Sequence, residues 1–285
     1  MPEFPEVYTI TKDLKHIAEG KLIKKVELHG DYETLPNNKE FTQKVENQKI
    51  LKIKQIAKNI NLELENDRVI NIHLGMSGQV LAKKKNKTLR WERVTFTLVN
   101  PRDEGKKLYL AYRSIRKFGK VELLNKSEYK KLKGKYGPSP IAEELTLDKF
   151  LKIIKSKNTN IKNLLMGQEK IGGLGNIYAT EALFRAKLHP ETRTKNISRK
   201  TAEKLLQEIK NVINEGIENR GSTLSDELYR DIYGKKGTQQ KHFQIYGKEQ
   251  CPSCKGKVKK KKISGRNTYF CPSCQKLENT EKKLL

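Results

Sequence analysis

The chain opens Met1-Pro2-Glu3-Phe4-Pro5-Glu6-Val7, and removal of Met1 would leave the secondary amine of a proline ring as the N-terminus. An α-amino group titrates near pH ~8, against ~10.4 for lysine, so an appreciable fraction is uncharged at neutral pH. Such an amine attacks carbonyl carbon to give an iminium, or Schiff base. Glu3 stands one residue away, within reach to move protons. Taken alone, seven residues with two prolines also describe an unstructured terminus. A second chemical set lies in the last 35 residues, where Cys251, Cys254, Cys271 and Cys274 read C-x2-C, sixteen residues, C-x2-C. That spacing puts two close thiolate pairs on the turns of a small hairpin and suits one tetrahedral zinc ion, with disulfides as the other outcome. A closed four-thiolate site is structural: it folds a short tail and takes no part in catalysis.

Composition narrows the partner. Lys and Arg total 60 against 33 Asp and Glu, a formal charge of +27 with a pI of about 9.8. Such an excess fits a polyanion, because cationic side chains release the counterions condensed on DNA or RNA. A lysine-biased composition, rich also in Ile and Asn, is the plainer explanation of the same charge. The 35% hydrophobic content supports real cores in one large or two to three small domains. No apolar run approaches the ~20 residues of a spanning helix, and no signal-peptide pattern opens the chain. The expectation is a soluble protein of the cytoplasm with no membrane partner.

The elements that must position these groups follow from periodicity. Val7, Ile10, Leu14, Ile17 and Ala18 predict an amphipathic helix over Pro5–Glu19, directly behind the proline amine. Short segments at 50–56, 61–64, 69–74, 94–99, 108–112 and 121–123 predict an antiparallel β-sandwich. The lysine-rich stretch 130–135, closed by Tyr136-Gly137-Pro138-Ser139-Pro140, reads as a linker. Helices are expected over 145–155, 161–166, 176–187 and 198–218. Residues 221–247 show no period and read as a mobile loop before the cysteines. The fold class is therefore α+β and multidomain, with a β-domain at 1–130, a helical domain at 131–247 and a zinc module at 248–285.

Six ordered motifs carry a resemblance: Pro2-Glu3-Phe4-Pro5-Glu6-Val7; Ala57-Lys58; His73-Leu74-Gly75-Met76-Ser77-Gly78; Arg116-Lys117-Phe118-Gly119; Gly173-Leu174-Gly175-Asn176 through Leu183; and Gly265-Arg266-Asn267-Thr268-Tyr269-Phe270-Cys271. In this order, along nearly the whole chain, they resemble the formamidopyrimidine-DNA glycosylase family of base-excision repair enzymes. The resemblance implies a β-sandwich, a helix-two-turn-helix domain and a zinc hairpin. It implies a glycosylase and abasic-site lyase acting as a monomer on oxidised purines in duplex DNA. Pro2 would be the nucleophile, Glu3 the general acid and base, Lys58 a lysine beside the lesion, and Glu6 an orienting carboxylate. Met76, Arg116 and Phe118 would fill the space left by the extruded base, with Arg116 facing the orphaned base and Phe118 wedged between bases. Asn176, Arg266 and Lys162 would bind the DNA backbone, while His73 would pack in the β-domain.

The chain departs from the family pattern at Tyr8, Ser114-Ile115, Lys117 and Gly167. The two departures beside the wedge bear on loop geometry and hence lesion preference. Two other readings compete. The endonuclease VIII branch shares the N-terminal proline, the glutamate and the zinc hairpin, but has Gly where Phe4 stands and lacks the R-x-F wedge. A non-catalytic zinc protein that senses DNA damage needs the charge, helices and zinc, but not a free Pro2 beside Glu3.

Overall fold

The computed structural model describes residues 2–277. They form two compact units, one of residues 2–135 with 216–240 and the other of 136–215 with 241–277.

The first unit begins with α1 (Phe4–Ala18). Val7, Ile10, Leu14 and Ala18, spaced three and four apart, are completely buried along one stripe. Glu3 is the N-cap and forms a reciprocal capping box with Glu6, and Pro5 in the first turn sets helical φ where no intrahelical N–H is needed. Behind it lie β1 (Leu22–Leu28), β2 (Gln48–Ile56), β3 (Asn59–Leu64), β4 (Val69–His73), β5 (Gly78–Lys83), β6 (Glu92–Asn100), β7 (Asp103–Ser114) and β8 (Lys120–Leu124). All neighbours pair antiparallel, in the order β5-β7-β6-β1-β2-β3-β4-β8. The two sides of the expected sandwich are thus joined in one continuous sheet. Its two halves meet at a narrow seam where β1 and β2 pair only through Leu22–Lys49 and Ile23–Gln48. Phe96, Leu110 and Tyr112 from one half and Ile53, Ile60, Ile72 and Val121 from the other share one core with the buried stripe of α1.

Two short helices complete this part, α2 (Asn38–Val45) and α3 (Lys126–Gly134). The lysine-rich stretch expected as a linker is instead the second half of α3. Asn125 and Glu128 cap that helix reciprocally, and it buries Tyr129 and Leu132.

Residues 216–240, which include most of the stretch expected as a mobile loop at 221–247, differ from expectation in two ways. They are not a loose loop, and they cluster with the β-unit rather than the helical one. The reason lies in their partners: Ala82 N donates to Ile232 O at 2.7 Å, Gln79 Nε2 to Leu228 O at 2.9 Å, and Tyr229 and Ile232 enter the α1–sheet core. Arg220 pairs with the buried Asp231 at 2.7 Å and also with Asp13 of α1.

The second unit holds α4 (Leu147–Lys155), α5 (Ile161–Met166), α6 (Asn176–Arg185), most of α7 (Arg199–Glu218), and a hairpin of β9 (Lys259–Ile263) and β10 (Arg266–Phe270). Leu205, Ile209, Val212 and Ile213 of α7 are buried along the predicted face. Ser264 and Gly265, both at positive φ, turn β9 into β10, the backbone of a type I′ hairpin. Among the described residues no helix is long and apolar enough to cross a membrane.

Candidate active site

Pro2 and Glu3 are both buried at the start of α1. Glu6 locks them there. Its Oε2 accepts the Glu3 N–H at 2.8 Å, and its Oε1 accepts the Ser222 N–H at 2.7 Å and the Ser222 hydroxyl at 3.0 Å. The carboxylate is thus spread over three donors, one in its own helix and two from a segment 216 residues away. Gly221 makes the approach: its φ is +79°, and a Cβ there would stand 2.8 Å from Glu6 Cγ.

Lys58 is nearly buried in the two-residue turn between β2 and β3, after Ala57 at φ +51°. Gln55 Nε2 donates to Phe4 O at 3.1 Å and to Ala57 O at 2.8 Å, so one amide ties this turn to the first residue of α1. His73 ends β4, and its Nδ1 accepts the Gly75 N–H at 3.2 Å. Burial, reinforced by the charges of Lys58 and Lys120, holds His73 below the usual imidazole range. It lies at the end of β4, paired with Asn59 of β3 on one side and Lys120 of β8 on the other.

Met76 sits in the β4–β5 turn, half-buried. Arg116 and Phe118 lie on the loop after β7, where Phe118 is 62% exposed. The turn and the loop are in contact. Arg116 N donates to Ser77 Oγ at 3.3 Å, and a Cβ on Gly75 would stand 2.7 Å from the Phe118 carbonyl. Lys117, at φ +53°, pairs with Asp31. The three residues expected to fill the vacated base position therefore come from two loops pressed backbone to backbone.

In the second unit Asn176 is the first residue of α6, with Gly175 as N-cap. Its Nδ2 donates to Asn267 O at 3.0 Å, which links the helix N-terminus to the residue after Arg266. Arg266 itself is exposed at the start of β10. Together they present backbone amides, a side-chain amide and a guanidinium, a set suited to phosphate. Lys162 corrects the expectation of a DNA contact. It is fully buried, with Nζ donating to Asn176 O at 2.9 Å and Thr180 Oγ1 at 2.5 Å, and it braces the first turn of α6 from inside. Buried Glu181 accepts the N–H groups of Gln244, Ile245 and Tyr246 at 2.7–3.0 Å, fixing the approach to the cysteines.

The sulfur atoms of Cys251, Cys254, Cys271 and Cys274 lie within 4.8 Å of one another, with Cys251–Cys274 at 3.8 Å and Cys254–Cys271 at 3.5 Å. A tetrahedron with ~2.3 Å zinc–sulfur bonds has edges of about 3.8 Å, whereas a disulfide would bring sulfurs to ~2.05 Å. Burial opposes ionisation of Cys251, but the backbone N–H groups of Cys254 and Ser253 outweigh it and lower the thiol to about 7. The donor set fits one structural zinc.

Comparison with known proteins finds three family models in order along the chain. Residues 1–121 match the formamidopyrimidine-DNA glycosylase N-terminal domain, 136–227 its H2TH domain, and 248–277 a zinc finger found in FPG and IleRS. The formamidopyrimidine-DNA glycosylase of Chloroflexus aurantiacus is 36% identical over 278 residues, covering 96% of this chain and 98% of that one. The chain belongs to the formamidopyrimidine-DNA glycosylase family.

Solved structures of the family agree. The MutM (Fpg) protein of Thermus thermophilus superposes with a TM-score of 0.84 at 31% identity, covering 98% of this chain and 100% of that one. Lactococcus lactis Fpg in complex with abasic-site DNA gives 0.85 at 28% identity, over 96% and 99% of the two chains. For this formamidopyrimidine-DNA glycosylase relative, the structure adds residues that the sequence did not single out. Gln55 and Ser222 position the proline end. Neither carries a sequence signal, because each works through backbone atoms of a distant element. The Glu3–Glu6 box, in contrast, has a readable three-residue spacing.

Proposed function

We propose that this protein is a base-excision repair glycosylase and abasic-site lyase that removes oxidised purines, 8-oxoguanine and formamidopyrimidines, from duplex DNA. The observation that carries the reading is the Glu6 clamp: a carboxylate held by Ser222 fixes a Pro2-Glu3 pair at the start of a buried helix. A loose terminus would have no need of it.

With Met1 removed, the Pro2 nitrogen attacks C1′ of the damaged nucleotide. The bond from C1′ to the base breaks, the base leaving with the proton that the Pro2 nitrogen gives up, and Glu3 gives a proton to the opening sugar ring. The nitrogen lone pair then completes the iminium. Loss of a C2′ proton to the Glu3 carboxylate expels the 3′-phosphate, a second elimination expels the 5′-phosphate, and water hydrolyses the iminium to free Pro2. Lys58 favours departure of the base or holds the adjacent phosphate. Extrusion costs a few kcal/mol of stacking and pairing. Met76 and Phe118 offset part of this by occupying the gap, with Arg116 toward the orphaned base. Asn176 and Arg266 grip backbone phosphates, and zinc supplies only the fold of the hairpin that carries Arg266. The enzyme works as a monomer in the cytoplasm, divided functionally into a catalytic β-domain, a helix-two-turn-helix domain and the zinc finger.

Borohydride trapping on duplexes with 8-oxoguanine or an abasic site tests the reading. The Met-processed protein should form a covalent complex, Pro2→Gly should trap weakly, and Glu3→Gln should lose excision while keeping DNA affinity. Absence of any covalent complex with the processed wild type overturns it. Excision across oxidised purines and pyrimidines decides between this branch and the endonuclease VIII type.

A further inference from the structure

Trp91 is the chain's one tryptophan, and the structure turns it outward. It is 38% exposed and stands at φ +66°, a conformation that costs roughly 1–3 kcal/mol for a bulky residue and persists only where its surroundings impose it. They do so here. The β6–β7 ladder slips between Glu92 and Val94, a bulge that re-aims the preceding side chain. Trp91 O accepts the Ser114 N–H at 3.0 Å, Arg90 O accepts Arg113 Nε at 2.9 Å, and Leu89 O accepts the Glu92 N–H at 3.1 Å. The buried Glu92 carboxylate closes the turn by accepting the Leu89 N–H at 2.7 Å and Lys83 Nζ at 2.7 Å.

The ring is also flanked by cations. The Arg90 guanidinium carbon lies 4.7 Å from its centroid and that of Arg93 5.9 Å. Lys84, Lys85 and Lys87 are exposed on the adjoining loop. The neighbours of the platform are those of the Arg116–Phe118 loop. Arg93 Nε donates to Ser114 O at 3.0 Å, and its guanidinium lies 4.0 Å from Asp31, the partner of Lys117. Ile115, 46% exposed, begins that loop.

We infer that Trp91 with Arg90 forms a stacking platform for an unpaired nucleobase beside the loop that carries Phe118. An indole face with a planar cation over it, held rigidly in solvent within a lysine-rich surface, suits a π-stacked base attached to a phosphate chain. A paired base, already stacked on both sides, offers it no face. The inference rests on the DNA-binding role of the 115–118 loop but not on the glycosylase chemistry.

The test uses undamaged DNA and the emission of Trp91. A duplex with one bulged nucleotide should quench the fluorescence and shield it from acrylamide, whereas a fully paired duplex of equal length should leave it nearly unchanged. Trp91→Ala, checked by its melting temperature, should bind the bulged duplex roughly 5- to 150-fold more weakly and the paired duplex within about twofold of wild type, and Trp91→Phe should recover most of the difference. Equal losses on both duplexes, or no quenching by the bulge, overturn the inference. Because no base is excised, Pro2→Gly should quench as wild type does, so this result and that of the trapping experiment stand apart.

Discussion

Glu6 shows how much one side chain can carry. Both of its oxygens are used, one to hold the Glu3 N–H and one to hold Ser222, and the side chain is almost fully buried. Glu6→Ala leaves those donors without an acceptor in a buried setting, a loss of about 1–3 kcal/mol. Chemical denaturation should show that loss. Single-turnover excision should fall more than DNA affinity, since Glu6 is far in role from the phosphate contacts. Glu6→Gln keeps one carbonyl oxygen and should recover the fold better than the rate. Equal rates for both variants and wild type would remove Glu6 from the positioning of Pro2. At this scale the sequence was informative where chemistry is local: the Pro2-Glu3-Glu6 spacing and the cysteine spacing were legible. Lys162 was not, because a lysine's letter does not say whether its ammonium meets solvent or, as here, a carbonyl and a hydroxyl inside the protein.

The elements that hold the proposed wedge residues depend on a close approach. A Cβ on Gly119 would stand 2.1 Å from Tyr112 Oη and 2.6 Å from His73 O. Gly119→Ala therefore has to push the 115–118 loop away from the β4–β5 turn, at a cost of about 1–3 kcal/mol. Tyr112→Phe removes the nearer obstacle, so the double variant should regain part of the stability in a double-mutant cycle. Additive losses would mean that the loop yields elsewhere. Six predicted strand segments correspond to β2, β3, β4, β6, β7 and β8, and α1 was predicted within one residue at either end. β1 escaped notice because its register shifts between Ile23 and Lys25, which breaks the period of two. α3 looked like linker because its exposed lysines outnumber the two residues it buries. Residues 216–240 were illegible for another reason: their hydrogen bonds go to α1 and β5, and no local pattern records such distant partners.

The whole molecule carries a charge of +27, and its two units offer different cationic groups. If Arg266 meets a phosphate, Arg266→Ala should lower the slope of log affinity against log salt by about 1, with a similar effect on damaged and undamaged duplex. Wild-type affinity should fall by about 10³ to 10⁵ between ~50 and ~200 mM salt if six to ten phosphates are neutralised. A slope unchanged by the substitution would leave Arg266 a solvated surface group.

The return of residues 216–240 to the first unit has a consequence for anyone dividing the gene. The polypeptide passes from one unit to the other near residues 135, 215 and 240, so neither unit is a contiguous stretch of codons. A fragment ending at Lys135 would lack Tyr229 and Ile232 from its core, the Arg220 partner of Asp13 and the Ser222 donors to Glu6. Recombination between relatives at that one junction would pair a sheet from one parent with a closing segment from another. Intact exchange of this first unit requires two inherited pieces, and the 216–240 stretch must travel with the N-terminal helix it contacts.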